Sequence, residues 1–530
     1  MTANFPIETE VCVVGGGPAG ASIARRLALL GHDVCLIEKA AFPRPHIGES
    51  LPPSIIRVFE LLGVRSLIEA AGFLRSDRAQ ILWSSNSNSW DSHPGESGFH
   101  VDRGRFDQLL LEAAKEVGVR VLQPARAFRP QRQGREHVRK ANLRRHPQGC
   151  GYKNEARQSG LKLLKPAKAG FVCVATPFRV SATKLTCSRQ GQYQWLVPVR
   201  LSDRHYTIKA RFLVDATGKH SPFSRKKQRY SAATLALYGY WKNPSFQGAE
   251  SRVEAGENEW FWGASLPDGT FNAAVFLDRE RYAQIGCDRQ QFYEDLLAKT
   301  TLFQGCLHGS LETPVQVCDA SSYFVTDPIE PDFIRVGEAA FSIDPLSSQG
   351  VQVAMMSAFT GSIAVHTILT QPDRTDAAIA FYRDRQKETV ERNQKTAAQF
   401  YADQDLYPPT SFWQSRAHKT PIQNLPQWQF NTSLFNLNSR VQLSPAAKVM
   451  LAPVIKGNLI ENVKALHHPG LERPVAYLGN VAIASFLDEL IAGQTVLELM
   501  QQWSKQQPLP ICWQRLQWFW SRHILVPFGP

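Results

Sequence analysis

The sequence predicts an α/β fold, a Rossmann-like dinucleotide-binding domain with an interleaved antiparallel-sheet substrate domain and a C-terminal helical module. Three observations predict it. An apolar run of strand length, residues 11–14, leads into GGGPAG and then into Ile23, Ala24, Leu27 and Leu30 at helical spacing, closed by Gly31. A second apolar run, 34–37, ends on Glu38. Downstream, QYQWLVPVRL and HYTIKARFLV alternate apolar and polar residues as antiparallel strands do, and so does much of 230–278.

The opening stretch is the most specific. Gly15 and Gly17 allow a tight turn and close approach of backbone to a pyrophosphate, Gly20 lets helix and strand pack closely, and the helix N-terminus faces phosphate charge. Glu38 stands eighteen residues after Gly20, placed to accept hydrogen bonds from a ribose hydroxyl. Ala19 and Lys39 complete the cofactor-binding set predicted here. The competing reading is a glycine-rich turn in some other α/β protein.

At 530 residues, with 43% hydrophobic side chains, the chain can bury a large core over two or three domains. No apolar run is expected to reach the roughly 18 residues of a membrane span. With no signal peptide visible, a cytoplasmic location is expected. The nine cysteines form no C-x-x-C pair, which argues for free thiols and against a metal site. The net charge of +13 is local: 126–168 holds thirteen Lys or Arg against Glu136 and Glu155. One basic segment explains the charge, and nucleic acid is not the expected partner.

After Glu38, AFPRPHIGESLPPS is too rich in proline for a helix and reads as a loop near the cofactor, with Gly48, Glu49 and Ser50 contributing freedom and polar groups. Helices are predicted over 54–62, stopped by Gly63, and over 105–116, with a strand from Val119. Arg103 precedes the second helix and is expected to meet a phosphate or ribose, or to form an ordinary salt bridge. Residues 126–189 break the pattern and are expected to form a basic, disordered insertion. The apolar strand ending in Asp215 places it where ligands lie in open α/β sheets. Trp260 and Trp262 belong to an aromatic-rich sheet expected to line a substrate pocket or pack a core. Near 337–351, Gly337 and Glu338 end a strand, and a turn through Pro345 leads into Gly350, Val351 and a long helix. Two helix N-termini facing one elongated cofactor suggest FAD more than NAD. Residues 401–470 read as an irregular helical linker. Residues 471–530 read as a small winged-helix-like module: a helix over 481–492 capped by Gly493, a T-x-x-E capping box at Thr495 and Glu498, and a third helix from Pro510.

Taken together, GGGPAG, VDRGRFDQLLLEAA, VDATG and GEAAFSIDPLSSQGV, in this order, resemble the flavin-dependent monooxygenase and tryptophan halogenase superfamily, with its p-hydroxybenzoate-hydroxylase-like fold. The resemblance covers about 8–125 and 190–400. It implies that Gly15, Gly17, Gly20, Glu38 and Arg103 bind the ADP half of FAD, that Gly337 and Glu338 approach the ribityl-pyrophosphate, and that the turn from Pro345 to Val351 abuts the isoalloxazine. Where the superfamily usually has Asp after that glycine, this chain has Glu338.

Within the superfamily, tryptophan halogenases carry a Trp-x-Trp-x-x-Pro box and an active-site lysine that handles hypochlorous acid. Here Trp260, Trp262 and Pro267 give a stretched version, and the stretch that should hold the lysine reads GFLRSDRAQILW, with Arg75 and Arg78 instead. An arginine stays charged and cannot take a neutral lysine's part. GESLPPS, LRS and DPLSSQGVQ are more similar to flavoproteins that mature tryptophylquinone cofactors. That likeness implies an FAD-dependent monooxygenase in which reduced FAD and O2 form a C4a-hydroperoxyflavin that hydroxylates an aromatic substrate, a peptidyl tryptophan among the candidates. His46 and Glu49 are the candidates for proton handling. NAD(P)H or a separate flavin reductase would supply electrons. The alternatives are a halogenase, a geranylgeranyl-reductase-like enzyme, and a non-catalytic flavin-containing partner-binding protein.

Overall fold

The computed structural model describes residues 7–85, 90–91, 97–133, 193–223, 227–245, 248, 250–417, 435–479, 481–505 and 507–529. The basic insertion expected at 126–189 lies outside the described residues from 134 onward. By contacts the chain divides into 133–192 and all the rest, and the description below is of the rest.

Strand β1 (Ile7–Val14) runs into helix α1 (Pro18–Leu29) and β2 (Val34–Ile37); α2 (Arg103–Glu116) and β3 (Arg120–Leu122) follow. Strands β4 (Trp195–Leu201) and β5 (Arg204–Asp215) form a hairpin. Strands β1, β2, β3 and the end of β5 are mutually parallel, with β1 between β5 and β2. A central parallel strand is buried on both faces, which is why 11–14 reads as continuous apolar sequence and not as alternation. Strand β4 closes this sheet as an antiparallel neighbour of β5, as its alternating pattern predicts.

The second sheet is built from β6 (Thr234–Lys242), β7 (Ser251–Ala255), β8 (Glu259–Ser265) and β9 (Phe271–Asp278), in the order β6-β9-β8-β7, extended by Arg78–Leu82 beside β7. One face, with Leu235, Leu237, Trp241, Phe261, Val275 and Leu277, packs against Tyr293, Leu296 and Leu297 of α3 (Arg289–Leu297). The other face carries the residues that matter for function.

Strand β10 (Phe333–Arg335) returns the chain to the first sheet beside β5. Helix α4 (Gly350–Thr370) packs on α1, and α5 (Thr375–Ala402) packs on α4. Helix α4 corrects one expectation: it is long and apolar enough to cross a membrane by length and composition alone, and 61% of that window is buried inside the protein. Its small residues, Gly361, Ser362 and Ala364, let it lie close to its neighbours.

The stretch expected as an irregular helical linker, 401–470, instead contains a β-hairpin, Lys448–Lys456 with Leu459–His467, packed against α4 and α5. Its alternation is blurred by Met450, Leu451 and Pro453. The C-terminal module reaches back into that stretch as well, because Arg440–Leu443 is the middle strand between Gln494–Thr495 and Leu525–Pro527. The helix expected over 481–492 is shorter, Ile483–Leu487. The capping box forms as predicted, with Thr495 and Glu498 bonding reciprocally at the start of Val496–Ser504.

Candidate functional site

The two helix N-termini meet. Gly337 has φ +59, and a Cβ there would lie 2.8 Å from Cβ of Ala19 in α1 and 3.4 Å from Ala354 in α4, so only a glycine lets both helices start beside the same turn. Neither α1 nor α4 has a side-chain N-cap hydrogen bond, which leaves the first backbone N–H groups of each to a ligand or to water.

The glycine turn explains itself atom by atom. A Cβ on Gly20 would lie 1.8 Å from the carbonyl oxygen of Gly15, and one on Gly15, at φ +107, would lie 2.2 Å from that of Ala216. Gly17 differs: φ is −68, and the nearest atom to a Cβ would be Nη2 of Arg44 at 3.7 Å. The fold does not need a glycine there; a phosphate resting on the helix start would. Glu38 is buried, and its carboxylate accepts from Gly16 N at 2.6 Å and Ala40 N at 2.8 Å, locking the turn. Lys39 is exposed and Ala19 is buried under Gly337.

Of the two readings for Arg103 the structure shows the salt bridge, and one expectation, that for Asp215, changes. Arg103 is buried, and its guanidinium is committed to protein: Nε and Nη2 donate to Asp107, and Nη1 donates to the carbonyl of Ile47 at 2.8 Å. It therefore pins the loop that carries Gly48 and Glu49 and does not reach out to a phosphate. Arg44, half-buried and 3.3 Å from Asp107, is the cation beside Gly17; the sequence reading missed it because the Arg44–Asp107 pairing spans distant parts of the chain. Asp215 is likewise occupied. Its carboxylate accepts from Thr217 N, Thr217 Oγ1 and Ser221 Oγ, so it builds the turn against which Gly15 rests.

Glu338 is exposed in the middle of the buried run 332–340, directly after Gly337 at the open turn, here the cleft, that both helix starts border. Asp344 caps the short turn Pro345–Ser347 through Leu346 N, and it accepts from the hydroxyl of Tyr401 at 3.1 Å. Gly350 is exposed at the start of α4, and Val351 reaches to 4.0 Å from a Cβ placed on Gly48. Ser50 is half-buried in a two-residue strand paired with His100.

The second sheet presents three rows across β6, β9 and β8: Tyr240, Asn272, Ala264; Tyr238, Ala274, Trp262; Ala236, Phe276, Trp260. Trp260 is sealed, stacked on Phe276 with ring centroids 3.9 Å apart and edge-on to Trp83, so it packs a core. Leu346 of the Pro345 turn packs into that same cluster. At the other end, Glu49 of the pinned loop accepts from Tyr240 OH at 2.7 Å and Asn272 Nδ2 at 3.2 Å. The sheet face thus touches both loops that border the cleft. Burial pushes the Glu49 carboxyl up from its ordinary range, against the hydrogen bonds from Tyr240 and Gly48 and the nearby Arg103 charge. His46 is exposed, its Nδ1 bonded to its neighbour Ile47 O; desolvation by the surrounding loop and the charge of Arg103 push its pKa down.

Uncapped helix starts at one turn, a glycine the fold does not need and a cation beside it suit a long anionic dinucleotide. Comparison with known proteins agrees. Residues 8–157 match the FAD binding domain family and residues 181–443 the tryptophan halogenase family. The chain is 27% identical to a tryptophan 2-halogenase of Chondromyces crocatus over 494 residues, 90% of this chain and 81% of that protein. Its fold is similar to that of CmlS, a flavin-dependent halogenase, with a TM-score of 0.71, 21% identity, and 98% and 96% of the two chains covered. It is also similar to that of the peptidyl tryptophan dihydroxylase QhpG, at 0.65, 20% identity, and 97% and 99% covered.

Proposed function

Because the chain belongs to the flavin-dependent monooxygenase and tryptophan halogenase superfamily, an FAD-dependent oxidoreductase by class, we propose that it hydroxylates an electron-rich aromatic ring, with a protein-borne tryptophan as first candidate. When bound, FAD supplies the oxidising chemistry by activating O2 with electrons from NAD(P)H or a separate reductase. The chain does the rest. The start of α1 with Arg44 would bind the phosphates, the start of α4 would lie against the isoalloxazine end, and the remaining lone pairs of Glu38 and the exposed Glu338 would accept from the ribose and ribityl hydroxyls. Tyr238, half-buried on this face beside the buried Ala274 and Trp262, is the aromatic surface offered to a flat substrate.

One observation carries hydroxylation over halogenation: no lysine occurs between Lys39 and Lys115, so none lies on the strands Leu74–Ser76 and Arg78–Leu82. Arg75 does not replace one, since it stacks over Phe99 at 4.0 Å and bonds Glu69 and Ser97. Halogenation is the second reading, and the names of the relatives favour it. The test is turnover with FAD, a reductase and O2 on free tryptophan and on tryptophan-containing peptides, with and without chloride and bromide. Mass spectrometry is expected to show the gain of one oxygen, independent of halide. A halide-dependent halogenated product would replace this reading with the second.

A further inference from the structure

Tyr240 and Asn272 face each other across β6 and β9, and both reach the same oxygen of one carboxylate, Oε1 of Glu49, while Oε2 accepts from Gly48 N at 2.7 Å. The three differ in access: Glu49 and Asn272 are enclosed, 2% and 0% exposed, whereas Tyr240 is half-buried at the cleft. Of these three groups the phenol is the one open to solvent, so it is the one through which the enclosed carboxylate can exchange protons. Asn272 adds a second sign. Its Oδ1 is fully enclosed and has no hydrogen-bond partner, an uncommon arrangement that leaves the atom free for a second orientation of the amide. Toward an ionised Glu49 the amide must offer N–H, as it does here. Toward a protonated Glu49 it can offer oxygen instead, because a half-turn of the amide brings Oδ1 to that place and a carboxyl O–H can donate to it.

Resting on the hydroxylase reading, we propose that Tyr240, Glu49 and Asn272 form a proton relay that collects the proton released when the substrate ring regains its aromaticity. In that step the C–H bond at the oxygenated carbon breaks, and its electron pair returns to the ring. The proton goes to Oη of Tyr240 as Tyr240 passes its own to Oε1 of Glu49; the new O–H then swings from Tyr240 towards Asn272, whose amide turns to accept it. The proton leaves to water by the reverse path before the next turnover. Besides Tyr240, the groups facing Glu49 are Tyr238 on β6, Arg103 on α2 and Cys318 on the neighbouring strand Gln316–Asp319.

The test reads the carboxyl directly, by infrared difference spectra of the cofactor-free protein across a pH titration. A protonated-carboxyl band is expected that is absent from Glu49→Gln. In Tyr240→Phe its midpoint is expected to rise by about one pH unit, because the ionised form loses a hydrogen bond. With FAD loaded, Tyr240→Phe is expected to lower kcat about a hundredfold with KM little changed. Both substitutions are nearly isosteric, and retained FAD absorbance checks their folding. A midpoint unmoved in Tyr240→Phe, or an unchanged kcat, overturns the relay. A halogenated product with the midpoint shift intact overturns the hydroxylase reading and leaves the proton path standing.

Discussion

Gly20 and Gly17 are glycine for different reasons, and the difference is testable. Gly20→Ala forces a Cβ onto the Gly15 carbonyl, so the turn must open. The expected result is loss of bound FAD together with about 1–3 kcal/mol of stability, as for other overpacked sites. Gly17→Ala meets only the flexible end of Arg44, so its melting temperature without FAD is expected to match the parent while FAD binding weakens about tenfold or more. Flavin absorbance per mole of protein and thermal melts separate the two. Undiminished FAD binding in Gly17→Ala would show that the helix start is not the phosphate site. At this scale the glycines were legible because local sequence dictates their turn. The roles of Arg103 and Asp215 were not. Arg103 and Asp107 stand four apart on one helix face, a pairing the spacing already offered, but the carbonyls of Ile47 and Gly48 that complete its shell come from a loop fifty-odd residues away.

At the scale of elements, the contact between α1 and α4 is what brings two ligand-facing helix starts to one place. Its far end holds a polar chain: Arg211 pairs with Glu10, Glu10 with His32 Nδ1 at 2.9 Å, and His32 Nε2 with His366 Nδ1 on α4 at 2.9 Å. Burial, then the neighbouring His32 and Arg26, push the His366 pKa down to about 4 from its ordinary 6.5, Glu10 opposing. The folded chain therefore resists a proton that the unfolded chain takes up. Stability is full above about pH 6.5 and falls as pH drops towards 4. Since His366 is only half-buried, the expected loss is about 1–2 kcal/mol once solvent screening is counted. His366→Gln is expected to flatten that slope in urea melts at pH 7 and pH 5; an unchanged slope would place the acid sensitivity elsewhere. The helices themselves were readable from periodicity and caps. The hairpin Lys448–Lys456 with Leu459–His467 was not, because it packs against α4 and α5, and an outer strand with Val449, Met450 and Leu451 all exposed has no clean period of two.

For the whole molecule, the basic segment is the feature that composition exposed first. Gln131–Arg132 already pairs antiparallel with the start of β4, Arg132 opposite Trp195, so the chain ends on either side of 134–192 are held as neighbouring strands. A two-residue Asn-Gly turn suits such a hairpin geometry. Replacing 134–192 with it removes thirteen Lys or Arg and two acids and leaves the chain near neutral. Shortening the connection between these two strands from about sixty residues to a few removes closure entropy worth about 2 kcal/mol, so the shortened protein is expected to melt higher and to bind FAD with unchanged affinity. Denaturant unfolding and flavin titration check both. Lower stability would mean that the segment contributes contacts of its own. Salt-sensitive retention of the full chain on nucleic acid, lost on deletion, would mean that its charge serves a polyanionic partner, since retention by phosphate neutralisation falls steeply with salt whereas packing does not.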